Sequence, residues 1–329
     1  MSNYTIGTAL TRWTFNLPVS VAIIVILAAY LLAVRSARSR DTKWPLWRTA
    51  AFIVLGLGSV VLCTMSSLAV YDHTLFWPLA LQLVFLISIV PVCLSLGDPL
   101  GLVGAALSPA GRTHWERALR SPVARAITFP VVTPLVALAL QMVVFFSGYL
   151  TAALHHAVVM DLLYLNVLVV GCVVALPLLG VELLPLWCTD PLRMLFACVD
   201  GLLDAIPGVA LLTSSSLVAG GYYANVSRTW GPSPLRDQHL GGALILTVAE
   251  VIAMPLLGIL FFRWARNDMS QALVLDEERP VAQRTSTGGE LLEKPWWETE
   301  ARGRLDDSWP RKPRTKTSRR HRNHDHPPE

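Results

Sequence analysis

Charge is what this chain has least of. Only 15% of its 329 residues are Asp, Glu, Lys or Arg, against about 25% in ordinary soluble domains. Cysteine is also sparse. The five are Cys63, Cys93, Cys172, Cys188 and Cys198, and none falls in a CxxC pair. Four lie in or beside apolar runs, so they read as small packing residues rather than a disulfide frame or a thiolate metal site. No glycine-rich nucleotide loop, GxSxG elbow or HExxH helix occurs, and the expectation is a protein that is not an enzyme. Residues 1–16 hold one base, Arg12, and lack the pattern of a cleavable signal. The net charge of +4 is concentrated in loops and in the C-terminal stretch. That distribution suits membrane orientation and argues against nucleic acid as a partner.

What is abundant is apolar sequence: 53% of residues are hydrophobic and the mean hydropathy is +0.50. Seven runs, 17–34, 48–71, 75–96, 126–149, 157–180, 194–221 and 241–264, each meet the roughly 20 residues that a helix needs to cross hydrocarbon. The expected fold is an all-α polytopic membrane bundle of about seven transmembrane helices. Its expected organisation is an extracytoplasmic N-terminus at 1–16, a membrane domain at 17–266 and a disordered basic cytoplasmic tail at 267–329. Loop 35–47 carries Arg35, Arg38, Arg40 and Lys43, and loop 97–125 carries Arg112, Arg117, Arg120 and Arg125. The alternate loops "DHT" (72–74) and "LTAALHH" (150–156) hold no Lys or Arg. The positive-inside rule therefore places the N-terminus outside and the C-terminus inside a bacterial plasma membrane, with membrane lipid as the general partner.

Carboxylates inside a bilayer are costly and usually face protein or water. The candidates are Asp161, Asp200, Asp204 and Glu250, with Gln82 as a neutral companion. Asp200 and Asp204 are four apart, so they share one helix face. Two such groups repel when both are ionised; they read either as a proton or cation site or as a hydrogen-bonded structural pair. His155 and His156 stand at the end of a run, with His73 and His239 in loops on the same expected side. Imidazole with nearby methionine suits copper, but adjacent helical histidines point about 100° apart. An interfacial polar role remains the alternative.

The stretch "GPSPLRDQHLGG", 231–242, abuts the last apolar run. Pro232 and Pro234 exclude helix locally. Asp237 suits an N-terminal cap of the following helix, and Gly241 and Gly242 permit close approach of another segment. Arg236, Gln238 and His239 are then left as an outward docking surface for a partner protein, the alternative being a capped helix entry alone.

Residues 222–268 carry Trp230, Asp237-Gln238, Gly241-Gly242, Glu250 and Arg263-Trp264-Ala265-Arg266. This series resembles the cytochrome c oxidase assembly factor family of the CtaG type, common in actinobacteria and bacilli. Residues 70–100, ending Leu96-Gly97-Asp98-Pro99, and residues 168–185 extend the resemblance to roughly 45–270. It implies a non-enzymatic role in maturing a copper-containing respiratory oxidase, with oxidase subunits or copper-handling membrane proteins as partners and copper as the one candidate cofactor. The alternative is a proton- or ion-coupled transport protein using the intramembrane carboxylates, or a structural membrane partner without ligand. The family's third span typically carries His-Met-x-x-His-Met. Here those positions fall on Leu79, Ala80, Leu83 and Val84, and only Gln82 keeps its type. Family histidines of the fifth and sixth spans fall on Met160, Asn166 and Asp204. His155, His156 and Met160 are the remaining candidate metal ligands.

Overall fold

The computed structural model describes residues 7, 11–40, 42–129, 131–179 and 190–283. Met1–Ser270 form one compact unit; in the second, Gln271–Glu329, the described stretch 271–283 is helical. Among the described residues every regular element is a helix. The long ones are α1 (Leu17–Ser39), α2 (Leu46–Tyr71), α3 (Phe76–Ser95), α9 (Ala157–Leu179), α10 (Asp190–Thr213) and α11 (Pro234–Gln283). All six are long and apolar enough to cross a membrane. The pair α7 (Val132–Phe146) and α8 (Tyr149–His155), bent by 62° at Ser147–Gly148, brings the number to seven when it is counted as one span. The expectation of an all-α polytopic bundle therefore holds, with six spans and the bent pair where the fourth was expected. Ser147 Oγ accepts the Tyr149 N–H at 3.1 Å and starts the new helix after the bend.

Between α3 and α7 lie three short helices, α4 (Pro99–Ala106), α5 (Pro109–Leu119) and α6 (Pro122–Ile127). Each begins on a proline preceded by a capping side chain: Asp98, Ser108 and Ser121 accept from Gly101, Gly111 and Ala124 N–H groups. Proline at the first helical position loses no hydrogen bond, and the cap satisfies an orphan donor. This signal was legible in "DP", "SP" and "SP" at 98, 108 and 121.

Helix α3 is the central element. Phe76, Leu79, Ala80, Leu83, Val84, Leu86, Ile87 and Val90 all enter the main core, joined by residues of α2, α7, α8, α9, α10 and α11. Pro91 lacks an N–H, and the turn before it, Phe85–Ile89, widens into π-helical hydrogen bonding. A second core gathers Tyr30, Val34 and Ala37 of α1 with Trp44, Phe52, Leu57 and Leu102. There Tyr30 stacks on Phe52 with ring centroids 3.9 Å apart, and its hydroxyl donates to the Gly97 carbonyl at 2.8 Å.

Several boundaries differ from the sequence expectation: the run expected at 126–149 is helical from Val132 and, after the bend, through His155 in the stretch expected as a loop. Helix α10 stops at Thr213, not 221, because Ser214 and Ser216 bond one another and cap the chain locally. Helix α11 begins at Pro234, not 241, since proline is well placed at a helix start. The same helix continues through Gln283, past the expected onset of the tail at 267; residues 284–329 of that tail, and 1–6 and 8–10 of the expected N-terminal segment, lie outside the described residues, as does Cys188.

Candidate functional site

The hairpin from α2 into α3, residues 72–75, marks one end of the bundle. Here Asp237 and Gln238 have positions that the sequence reading misassigned. Asp237 sits in the first turn of α11, and its side chain caps a different helix. Its carboxylate accepts the N–H groups of Phe76 at 3.0 Å and Trp77 at 3.2 Å, the first two residues of α3. It also pairs with Arg228 at 3.2 Å, and the two side chains are 0% and 7% exposed. The positive end of α3 and a guanidinium thus share one buried carboxylate. Gln238 is 1% exposed. Its Oε1 accepts from Val218 N–H at 2.8 Å and its Nε2 donates to the Ser216 carbonyl at 3.0 Å. An outward docking role for Gln238 is therefore ruled out: its amide is spent bracing the 214–218 loop. His239 Nε2 lies 3.0 Å from the Ser214 carbonyl, and Arg236 is exposed.

The paired glycines make close approach, as expected, and the partners are now identified. A Cβ on Gly241 would meet the Phe76 ring at 2.6 Å. One on Gly242 would meet the Gly208 carbonyl oxygen at 2.8 Å, and the reverse substitution at Gly208 meets Gly242 O at 2.8 Å. Helices α10 and α11 touch backbone to backbone at this pair.

Beside this junction runs a buried hydrogen-bond chain that spacing in the sequence did not reveal. Gln82 Nε2 donates to the Cys63 carbonyl at 2.7 Å and to the Tyr164 hydroxyl at 2.9 Å. Tyr164 donates to Asp72 Oδ2 at 3.1 Å, and Tyr223 donates to the Asp72 carbonyl at 2.6 Å. Burial pushes the Tyr223 phenol well up, so it stays a donor. The other Asp72 oxygen bonds His73 Nδ1. The partners come from α2, α3, α9 and the 219–224 turn, residues up to 151 positions apart; no local pattern could show them.

The bond to Asp72 outweighs desolvation of the ring and raises the His73 pKa above its usual 6.5. Because the folded value is the raised one, protonated His73 favours the fold. That contribution is complete below about pH 6.5 and is lost as pH rises through the raised value. The wild type should therefore lose thermal stability relative to His73→Gln over that rise. Parallel pH profiles of the two proteins would show that the Asp72–His73 bond adds nothing.

The other candidates are dispersed. Asp200 and Asp204 do lie on one face of α10. Gln141 of α7 donates to Asp204 Oδ1 at 3.4 Å, while the buried Oδ1 of Asp200 has no partner. Glu250 is exposed on α11, facing away from the core. Asp161 is one turn into α9, where its Oδ1 accepts from Asn16 Nδ2 at 2.7 Å; Asn16 also caps α1 through Val19 N–H. Asn166 donates to the Tyr149 hydroxyl at 2.9 Å. His155 packs edge-on against Tyr222, His156 is exposed, and Met160 is buried in the main core. Among the described residues no three His, Cys, Asp or Glu side chains form a group suited to a metal ion.

The α3 face tests the copper expectation directly. Leu79, Ala80, Leu83 and Val84 are buried in the main core. Leu83 and Val84, with Gln141 among their neighbours, line an apolar void of about 10 Å³. None of those four side chains carries a donor atom for copper, so this face does not fit the ion.

Comparison with known proteins agrees with the resemblance. The chain is 27% identical over 273 residues to the uncharacterized protein Mb0105 of Mycobacterium bovis, covering 80% of this chain and 41% of that protein. It is 25% identical over 271 residues to the uncharacterized protein ML1998 of Mycobacterium leprae, covering 78% of this chain and 40% of that one. The chain thus spans about two fifths of the length of these curated relatives. No solved structure matches. Residues 28–267 match the model of the cytochrome c oxidase caa3 assembly factors, and the chain belongs to that family.

Proposed function

We propose that this protein supports maturation of a copper-containing respiratory oxidase in a bacterial plasma membrane, acting by contact with oxidase subunits and not by catalysis. Family membership over residues 28–267 carries the reading. The apolar α3 face supports the finer point, that α3 itself does not carry the metal. The family-like Asp237-Gln238 and Gly241-Gly242 element serves the scaffold, holding α3, α10 and α11 together. Exposed Arg236, beside it, is left as the docking contact. Loop charge supports an N-terminus outside and a C-terminus in the cytoplasm, which puts Arg236 on the outer side.

A second reading rests on the unpartnered oxygen of Asp200 beside Asp204 and Gln141: a proton- or ion-coupled transporter. One experiment separates the two. The gene is deleted and complemented with wild type, Arg236→Glu or Asp204→Asn, and oxidase activity and membrane copper are measured. Loss of oxidase on deletion, restored by wild type and Asp204→Asn but reduced several-fold with Arg236→Glu, is the expected result. Normal oxidase activity and copper in the deletion strain would refute the maturation role. Rescue by wild type but not by Asp204→Asn would favour transport.

A further inference from the structure

The connection from α3 to α7 carries four arginines, and three of them, Arg117, Arg120 and Arg125, form no ion pair among the described residues. Arg112 Nε pairs with Glu116 Oε1 at 2.9 Å, one turn along α5. Arg117 and Arg120 are exposed and form no ion pair among the described residues. With Thr113, Glu116, Ser121 and Pro122 they line an open cleft of about 510 Å³ where α5 turns into α6. The turn is held in shape by its caps. Arg120 N–H closes α5 on the Glu116 carbonyl at 3.0 Å, and Ser121 Oγ accepts from Ala124 N–H at 3.1 Å. As an acceptor in that bond, Ser121 keeps its hydroxyl proton for a further partner. Glu116, the one acid on the rim, is neutralised by Arg112.

The cleft's depth follows from the chain. Helix α6 ends at Ile127 and α7 begins at Val132, so the cleft lies a few residues before the polypeptide enters hydrocarbon. Val123 on α6, an apolar residue three positions after Arg120, is 65% exposed. Ser36 of α1 donates to the Ala106 carbonyl at 2.9 Å. That bond brings the basic end of α1, with Arg35 and Arg38, to the same side of the bundle. Exposed Trp47 stands at the start of α2, the aromatic type that favours the headgroup level.

We propose that the α5–α6 cleft binds the phosphate of an anionic phospholipid headgroup. Two guanidinium forks match phosphate oxygens, the Ser121 hydroxyl supplies a third donor, and Val123 meets the acyl boundary. The surrounding bases add attraction to an anionic leaflet. A soluble acidic partner would not use the exposed valine at membrane depth.

The test uses the full chain in nanodiscs of phosphatidylcholine and phosphatidylglycerol. Lipid retained after transfer to detergent is counted by native mass spectrometry. Wild type should hold phosphatidylglycerol in preference to phosphatidylcholine. Arg117→Gln with Arg120→Gln should lower that retention about 30-fold at low salt, in line with the contribution of two bases near a membrane surface. Arg38→Gln with Arg40→Gln should keep most of it. Both cleft arginines are exposed and unpaired, so the variant should unfold at the wild-type temperature. Equal retention by wild type and the cleft variant would overturn the proposal, as would equal binding of the two lipids by wild type. Displacement of phosphatidylglycerol by excess inorganic phosphate would overturn the lipid assignment in favour of a free-phosphate site.

Discussion

Replacing Asp237 with alanine should destabilise the protein by about 3–5 kcal/mol, the usual cost of stripping one partner from a buried ion pair. The carboxylate serves three donors at once: the N–H groups of Phe76 and Trp77 and the guanidinium of Arg228. Its removal leaves Arg228 buried without a counter-charge, and Nη1 of that arginine already has no partner. It also uncaps α3, the helix at the centre of the main core. A cap of its own helix, as the sequence suggested, would be worth only about 1 kcal/mol. The size of the loss therefore decides between the two roles. Unfolding of Asp237→Ala in detergent by heat or denaturant, set in a cycle with Arg228→Ala, measures it. A loss near 1 kcal/mol, with no coupling between the two positions, would mean that Asp237 acts only within α11.

Adding a single methyl at Gly171 should cost roughly 3 kcal/mol, at the upper end of overpacking penalties. Gly171 of α9 faces the widened turn of α3 that precedes Pro91. A Cβ there would lie 2.2 Å from the Ile87 carbonyl oxygen, 2.8 Å from its carbon and 2.6 Å from Pro91 Cγ. Two of those atoms are backbone and the third belongs to a fixed ring, so no rotamer change relieves the contact; the helices must separate. Gly148→Ala is the matched control. A Cβ at Gly148 meets nothing within 4 Å and its φ is −72°, so that change should alter stability little. If Gly171→Ala proves as well tolerated as Gly148→Ala, α3 and α9 do not cross as closely as described.

How much of this was readable in advance follows from the range of the forces involved. Helical spans are set by local hydrophobicity over about 20 residues, so the runs at 17–34, 48–71 and 75–96 agree closely with α1, α2 and α3. The breaks were harder. Nothing apolar marks Ser147–Gly148 as a 62° bend, because mean hydropathy is blind to backbone direction. The tight approach of a helix at Gly241-Gly242 was legible as a lack of side chains, but not which helix approached.

The sequence alone determined that this chain is a polytopic helical bundle, that its bases gather in alternate loops, and that the 231–242 motif matters. Those are properties of composition and order, which folding does not rearrange. Tertiary structure alone decided what the polar residues do. Asp237 reaches back 160 and 161 positions to cap α3, Asp72 is held by Tyr164 and Tyr223, and Gln238 turns inward. A buried donor or acceptor must find a partner wherever the chain brings one. In a membrane bundle that partner belongs to another helix, at a sequence separation no local pattern records.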